Sequence, residues 1–477
     1  MPSELNQRLS VMANRGEWRG ADTLMSAARA ECDPARTALS PEERRRPPWA
    51  LAVGAAALVL LLIGGAALLF FRSDPGSDVV ATTTLAPSTT VAPSTTVAPS
   101  TTTSATLAPG PMTWVRVPFG DEGSVAAVIR GGPGLIAAGR SGEDAAVWTS
   151  ADGLAWERVP DDEGVFGGEE RYEITGIAAG PDGYVAVGGG RVVAAYGARE
   201  AAIWWSADAD TWERVELDEA VFGVGGYLSL NGLAYGPAGY VAVGWDSPAD
   251  EPWLLDGHYV LRSTDGRSWQ RADLGDLPVG GMWDLAVGGP GYVAVGVDWR
   301  DRSVGAAGVW TSADGLTWAL VDAAAVERDP GGGEIQYMSA VGTGAGGDLV
   351  ALGAGEDHLL AWRSEDGLTW TLLSVVHEWV YGAEGVFPEC VLASGERIVA
   401  AGGVGAGPSP AVGSVWTSGD TGNTWEHLTA PAEVFGEGSG VVAITALIEV
   451  DGAYVAVGYF KGEATAWMGT WNEEEGS

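Results

Sequence analysis

The chain has 477 residues, of which 72 are glycine and 22 tryptophan, and a formal net charge of −37 at pH 7. So acidic a surface repels phosphate backbones, and no basic stripe with interleaved aromatics offsets it, which excludes nucleic acid as a partner. The two cysteines, Cys32 and Cys390, fall on opposite sides of a predicted membrane span and cannot pair within one chain; Cys390, in the apolar run Cys390-Val-Leu-Ala, reads as a buried structural thiol.

Residues 1–48 carry a weak amphipathic pattern, with Leu5, Leu9 and Met12 and then, after Arg15-Gly16, Leu24, Met25 and Ala28. The spacing predicts two short helices in a cytoplasmic tail. Residues 49–71 are 23 residues without a charge, and roughly 20 suffice to cross a bilayer as a helix. A cleaved leader would have a shorter apolar core and a shorter segment before it. Arg44, Arg45 and Arg46 precede the span and only Arg72 follows closely. The protein is therefore expected in the cell membrane as a single-pass chain, N-terminus cytoplasmic and C-terminal part extracellular. Residues 72–111 are dominated by Thr, Ser, Pro and Ala, with a near-repeat from Leu85 to Pro99. That composition cannot build a core and predicts a disordered stalk with a reach on the order of 100 Å.

From residue 112 to 477 two elements alternate. One is a Tyr-Val-Ala-Val-Gly strand whose terminal glycines fall at Gly139, Gly188, Gly244, Gly296, Gly353, Gly402 and Gly458, spaced 49 to 57 residues apart. The other is a Ser-x-Asp-Gly-x-Thr-Trp turn, carrying Asp152, Asp208, Asp265, Asp314, Asp366 and Asp420. The period is that of a four-stranded propeller blade. The fold class is thus all-β, a seven-bladed β-propeller preceded by one transmembrane helix and the stalk. The last blade lacks an outer strand of its own, and Met112-Thr-Trp-Val-Arg-Val117 has the sequence of that missing strand. The N-terminal strand is expected to close the last blade and leave no unpaired edge.

The turn motif resembles the Asp box of sialidase-type propellers, the BNR repeat. Ser418-Gly-Asp420-Thr-Gly422-Asn-Thr424-Trp425 matches the full form, the other five are one residue shorter, and the second has Ala209 where glycine is expected. A carboxylate and a hydroxyl two residues apart can accept the turn's own N–H groups, and glycine supplies its backbone angles. The aspartates therefore read as structural, neither catalytic nor calcium-binding. The resemblance places the turns on the rim away from the ligand face.

In a propeller the variable loops gather around one end of the central channel. Counting nine residues back from each Tyr-Val-Ala-Val-Gly strand gives a mostly polar column: Ala126, Thr175, Asn231, Trp283, Glu389 and Thr445, with Ser339 equivalent after one extra turn residue. The next column is small except for Asp284. A candidate channel mouth follows, formed by Asn231, Trp283, Asp284, Ser339 and Glu389 with loop residues Arg171, Tyr172, Tyr227 and Tyr337. The alternative is that this column only hydrates a water-filled channel.

Three functions stay open on these grounds. The first is a membrane-anchored, non-catalytic binding or assembly module for an envelope protein or a glycan. The second, which the resemblance suggests, is an exo-sialidase-like glycoside hydrolase, which needs three converging arginines, a Tyr–Glu nucleophile pair and an acidic acid/base; Arg171, Arg191, Arg262, Arg300 and Arg302 form no evident triad. The third is transmembrane signalling through the tail. The histidines His258, His358, His377 and His427 lack metal-ligand spacing, so no cofactor or metal is expected.

Overall fold

The structure, a computed structural model, describes residues 112–471 apart from positions 161, 169–170, 192–198, 219–220, 222–226, 248–256, 302–303, 331–334, 345, 356–357, 377–384, 406–411, 429–431 and 437–440. The expected tail, span and stalk lie outside the described residues. Among the described residues no helix is long and apolar enough to cross a membrane.

The repeated strands pair into antiparallel sheets. Five sheets have four strands, and a sixth has seven because the strand Met112–Gly131 serves two units at once. Its first part, from Met112 to Pro118, pairs with the last strand, Glu463–Trp471; its second part, from Gly123, pairs with Gly134–Ser141. The chain passes from one sheet to the other through Gly120 and Gly123, with φ of 88° and 150°, angles that glycine reaches without strain.

The innermost strands are the second part of Met112–Gly131, then Arg171–Gly180, Tyr227–Gly236, Gly280–Gly288, Tyr337–Thr343, Gly385–Ser394 and Val442–Val450. Each lies against the next, and the last lies against the first. Sheets arranged radially and closed in this way form a β-propeller. The core is correspondingly divided, one apolar cluster filling each seam. In the seam that closes the ring, Val455, Val457 and Ala466 of the last unit pack on Val125, Leu135 and Trp148 of the first.

The recurring strand sequence follows from burial on both faces. In Tyr240-Val-Ala-Val-Gly244, Tyr240 and Ala242 pack into the seam with the preceding unit, while Val241 and Val243 pack into the following one. Such a strand reads as an unbroken apolar run, not as an alternation. The tyrosine also ties units together: Tyr240 donates to the Gly183 carbonyl at 2.9 Å, and Tyr292 donates to that of Gly239 at 2.7 Å. One strand outward, Trp148, Trp204, Trp310, Trp362, Trp416 and Trp467 are fully buried, and truncating such a residue to alanine costs about 3–5 kcal/mol. Three of these indoles dock loops, Trp362 Nε1 donating to the Glu327 carbonyl at 2.7 Å. Trp204 Nε1 donates to the Val165 carbonyl and Trp467 Nε1 to that of Val434, both at 2.7 Å, with Phe166 and Phe435 buried beneath. The Val165-Phe-Gly167 and Val434-Phe-Gly436 loops are thereby held as packed turns.

Candidate functional site

All seven innermost strands carry a β-bulge at the same place, the ladder skipping Ala126, Thr175, Asn231, Trp283, Ser339, Glu389 and Thr445 in turn. A bulge adds an unpaired residue and redirects its side chain. It also explains the terminal glycine of the neighbouring strand. Gly139, Gly188, Gly244, Gly296, Gly353, Gly402 and Gly458 each pair with the residue just before the bulge, and a Cβ on any of them would run into a backbone carbonyl of the innermost strand. The polar column and the glycine column are two sides of one backbone feature.

The bulge residues divide by chemistry. Thr175 Oγ1 donates to the Leu230 carbonyl at 2.6 Å, Ser339 Oγ to that of Pro388 at 2.5 Å, and Thr445 Oγ1 to that of Val125 at 2.6 Å. Each acceptor lies just before the next unit's bulge, so these hydroxyls latch neighbouring units beside the axis. Thr445 does so across the closing seam. Asn231 accepts a hydrogen bond from Ser229 Oγ at 3.0 Å. Trp283 is half-buried, its ring meeting Tyr337 edge to face at 5.1 Å. Glu389 is exposed, and among the described residues no group donates a hydrogen bond to it.

The other predicted mouth residues are placed differently from one another. Asp284 is half-buried and turned along the seam, its two carboxylate oxygens accepting from the Leu285 and Val341 amides at 2.8 Å each. Burial lifts its carboxyl to about 6 against those two hydrogen bonds. Tyr172 is core: it is 9% exposed, meets Trp204 edge to face and is covered by the Arg214 guanidinium 4.0 Å from its ring centre. Arg171 forms an ion pair with Glu143. Tyr227 opens its innermost strand, but its side chain lies outside what the structure describes.

Glu389 is exposed, yet the protein around it takes part of its carboxyl out of water. Desolvation pushes its carboxyl up to about 7. Burial, with Glu389 adding to it, raises the Tyr337 phenol to about 12 and raises that of Tyr459 further. Tyr459 also feels Glu173, whose Oε1 accepts from Ser124 Oγ at 3.0 Å across the first seam. Tyr459 and Glu173 belong to this neighbourhood and were not singled out from the sequence. For Glu173 a signal existed, because it lies two residues before its bulge, as Tyr337 does; for Tyr459, which follows the strand glycine, that position holds no consistent residue type. Cys390, next to the bulge, is half-buried, with its thiol raised by burial and pointed at the Ala401 carbonyl, 3.7 Å away.

The six Ser–Asp turns use their polar atoms locally. In the fourth, Ser312 Oγ accepts from Gly315 N at 2.8 Å, Asp314 Oδ1 accepts from Leu316 N and Thr317 N at 2.9 and 2.7 Å, and Trp318 Nε1 donates to the Gly315 carbonyl at 3.1 Å. The same pattern recurs around Asp152, Asp208, Asp265 and Asp366. Ala209 takes the glycine's place at φ 72°, beside values of 72° to 81° for its four glycine equivalents. The longer sixth turn absorbs its extra residue by placing both Thr421, at φ 60°, and Gly422, at φ 92°, in the left-handed region. The hydrogen bonds from Thr317 and Leu316 hold the Asp314 carboxyl down to about 2; at Asp265 burial opposes, and the amides of Ser268 and Arg267 outweigh it to the same level.

Of the arginines considered for an anion site, Arg262 Nε donates to the Ala238 carbonyl at 2.8 Å and Arg300 pairs with Asp298 at 2.6 Å. The Arg191 side chain and Arg302 lie outside the described residues. No group of three or more potential metal ligands occurs among the described residues. No protein-family model matches the chain, and no curated protein does. Among solved structures, YCF48 bound to a D1 peptide is similar at 14% identity and a TM-score of 0.48, over 78% of this chain and all of that one. YCF48 from Cyanidioschyzon merolae gives 15% and 0.45, over 75% and 98%. Virginiamycin B lyase from Staphylococcus aureus gives 9% and 0.47, over 76% and 100%.

Proposed function

We propose that this chain is a single-span membrane protein whose extracellular, seven-bladed Asp-box propeller is a non-catalytic binding or assembly module for an envelope protein or a glycan. The supporting observation is the division of the bulge column. Every unit directs one residue from its innermost strand at the same level, and three of the seven spend a hydroxyl on the neighbouring unit. Trp283 and Glu389 make no hydrogen bond among the described residues. An aromatic ring and a carboxyl presented in a rigid ring are groups that recognition uses. The proposed stalk would hold that ring away from the bilayer, where a large partner can reach it.

Cross-linking on intact cells with the full chain tests this reading, with a Trp283→Ala, Glu389→Ala double variant beside it. Capture of a defined surface component that the variant loses is the expected result. Equal capture by both forms would remove the site from the channel mouth. Turnover of a fluorogenic sialoside by the purified protein would instead establish a hydrolase and overturn the non-catalytic part.

A further inference from the structure

The mouth has an uneven chemistry that selects a class of ligand. On one side the Trp283 and Tyr337 rings meet at 5.1 Å. Glu389 stands one unit further round, near enough to act on Tyr337 and, from the other direction, on Tyr459. No arginine, lysine or histidine among the described residues is close enough to act on its carboxyl. Among the described residues, four basic groups have partners of their own. Arg171 pairs with Glu143, Arg140 donates to the carbonyl of Gly142, Arg300 pairs with Asp298, and Arg116 lies over the Phe460 ring beside Glu463. A carboxyl without a countercharge beside aromatic faces is complementary to a cation, since the face of an aromatic ring is its negative side. The chain's net charge of −37 draws cations and repels anions at longer range.

We propose that the channel mouth binds an ammonium or guanidinium group carried on a basic peptide segment, seated against Trp283 and Tyr337 and paired with Glu389. The inference rests on the mouth being a binding site and names what it binds. One cation held by one ring pair and one water-wetted carboxylate binds weakly on its own. A peptide adds backbone contacts and further basic side chains drawn to a chain of net charge −37, which favours it over a free amine. Among the described residues, the titratable groups that act together with Glu389 are Tyr337 and Tyr459, with Cys390, Asp284 and Glu173 coupled to the same set. The Glu389 carboxyl titrates near 7 and is neutral below that, so capture strengthens as pH rises through neutrality.

The test is fluorescence anisotropy of a labelled Gly-Arg-Gly-Lys-Gly-Arg peptide with the full-length protein. A citrulline and acetyl-lysine version serves as the neutral probe, with variants Trp283→Ala and Glu389→Gln. Glu426→Gln, on the outer strand Glu426–Leu428, removes the same charge elsewhere. The charged peptide is expected to bind and the neutral one not. Each mouth variant should weaken binding about fivefold or more, with Glu426→Gln unchanged and the gain between about pH 6 and pH 8 lost in Glu389→Gln. Equal affinity in wild type and mouth variants, or an equal loss in Glu426→Gln, would reduce the binding to general surface charge and overturn the assignment. Competition by N-acetyl-lysine amide as strong as that of the peptide would overturn the peptide part. If cross-linking still captures a partner that depends on Trp283 and Glu389 while the basic peptide fails to bind, the mouth is a binding site and the cation assignment alone falls.

Discussion

The hydroxyl latches make a prediction that isolates one atom. Thr445 Oγ1 donates to the Val125 carbonyl at 2.6 Å and, shared, to that of Val457 at 3.0 Å, at the seam where the last unit meets the first. Val125 and Val457 are fully buried. Thr445→Val keeps the shape and the preference of a β-branched residue for strands, but leaves the Val125 carbonyl with no replacement donor. A buried acceptor stranded in this way costs about 1–3 kcal/mol. The methyl that replaces the hydroxyl returns less than about 1 kcal/mol, so the net loss should be about 1–2 kcal/mol. In a domain of this size about 2 °C of melting temperature corresponds to each kcal/mol, giving a fall of about 2–4 °C. Thr445→Ser retains the donor and should lose less than half as much. Thr175→Val, which breaks the equivalent contact to Leu230 at an interior seam, should match Thr445→Val. Thermal and urea melts of the three variants decide it. A Thr445→Ser loss as large as that of Thr445→Val would show that packing, and not the hydroxyl, stabilises the seam, and the latch argument would be refuted.

Ala209 and its glycine equivalents should respond oppositely to exchange. Gly315→Ala introduces strain at φ 73° and a Cβ that crowds Val241, costing about 2–3 kcal/mol. Ala209→Gly relieves about 1 kcal/mol of strain but forfeits a buried methyl and gains unfolded-chain entropy, so it should stay within about 1 kcal/mol of neutral; urea midpoints compare them. Asp265 and Asp314 have carboxyls held at about 2, below the usual 3.8. Their stabilisation is present above about pH 4 and is lost as pH falls through about 2. Asp314→Asn should therefore show a shallower acid loss than wild type in a pH series of melts. For Glu389 the sign reverses, because a carboxyl raised from 4.5 to about 7 contributes stability that is full below about pH 4.5 and lost as pH rises through 7. Glu389→Gln should melt higher than wild type at about pH 8 and at the same temperature near pH 4.5. An identical difference at both would contradict the assigned titration.

The period, the glycine column and the bulge column were all legible because they depend on chain-local geometry. The hairpin joining each innermost strand to its Tyr-Val-Ala-Val-Gly neighbour has nearly constant length, so a count of nine residues back reaches the bulge in six units, and one more reaches Ser339 in the fifth. What a count cannot show is the partner a side chain finds across a seam. Thr175, Ser339 and Thr445 look like free polar residues in a column, Ser339 among the mouth residues, yet their acceptors lie on neighbouring units, 49 residues or more away in the chain. Asp284 looks like a free acid and is bound to the Val341 amide; Tyr172 looks like a loop aromatic and is covered by Arg214. The fold constrains the bulge backbone and the glycine opposite it, since a Cβ on that glycine would meet a carbonyl, but it leaves the bulge side chain unconstrained unless that residue carries a latch. A residue can then be exchanged at Ala126, Asn231, Trp283 or Glu389 at small cost to the ring, whereas a latch position cannot lose its hydroxyl freely. Side-chain chemistry at the former positions is separable from stability at the latter, and the structure puts the bulky aromatic and a carboxyl that has no counterion among the described residues where the ring can tolerate them.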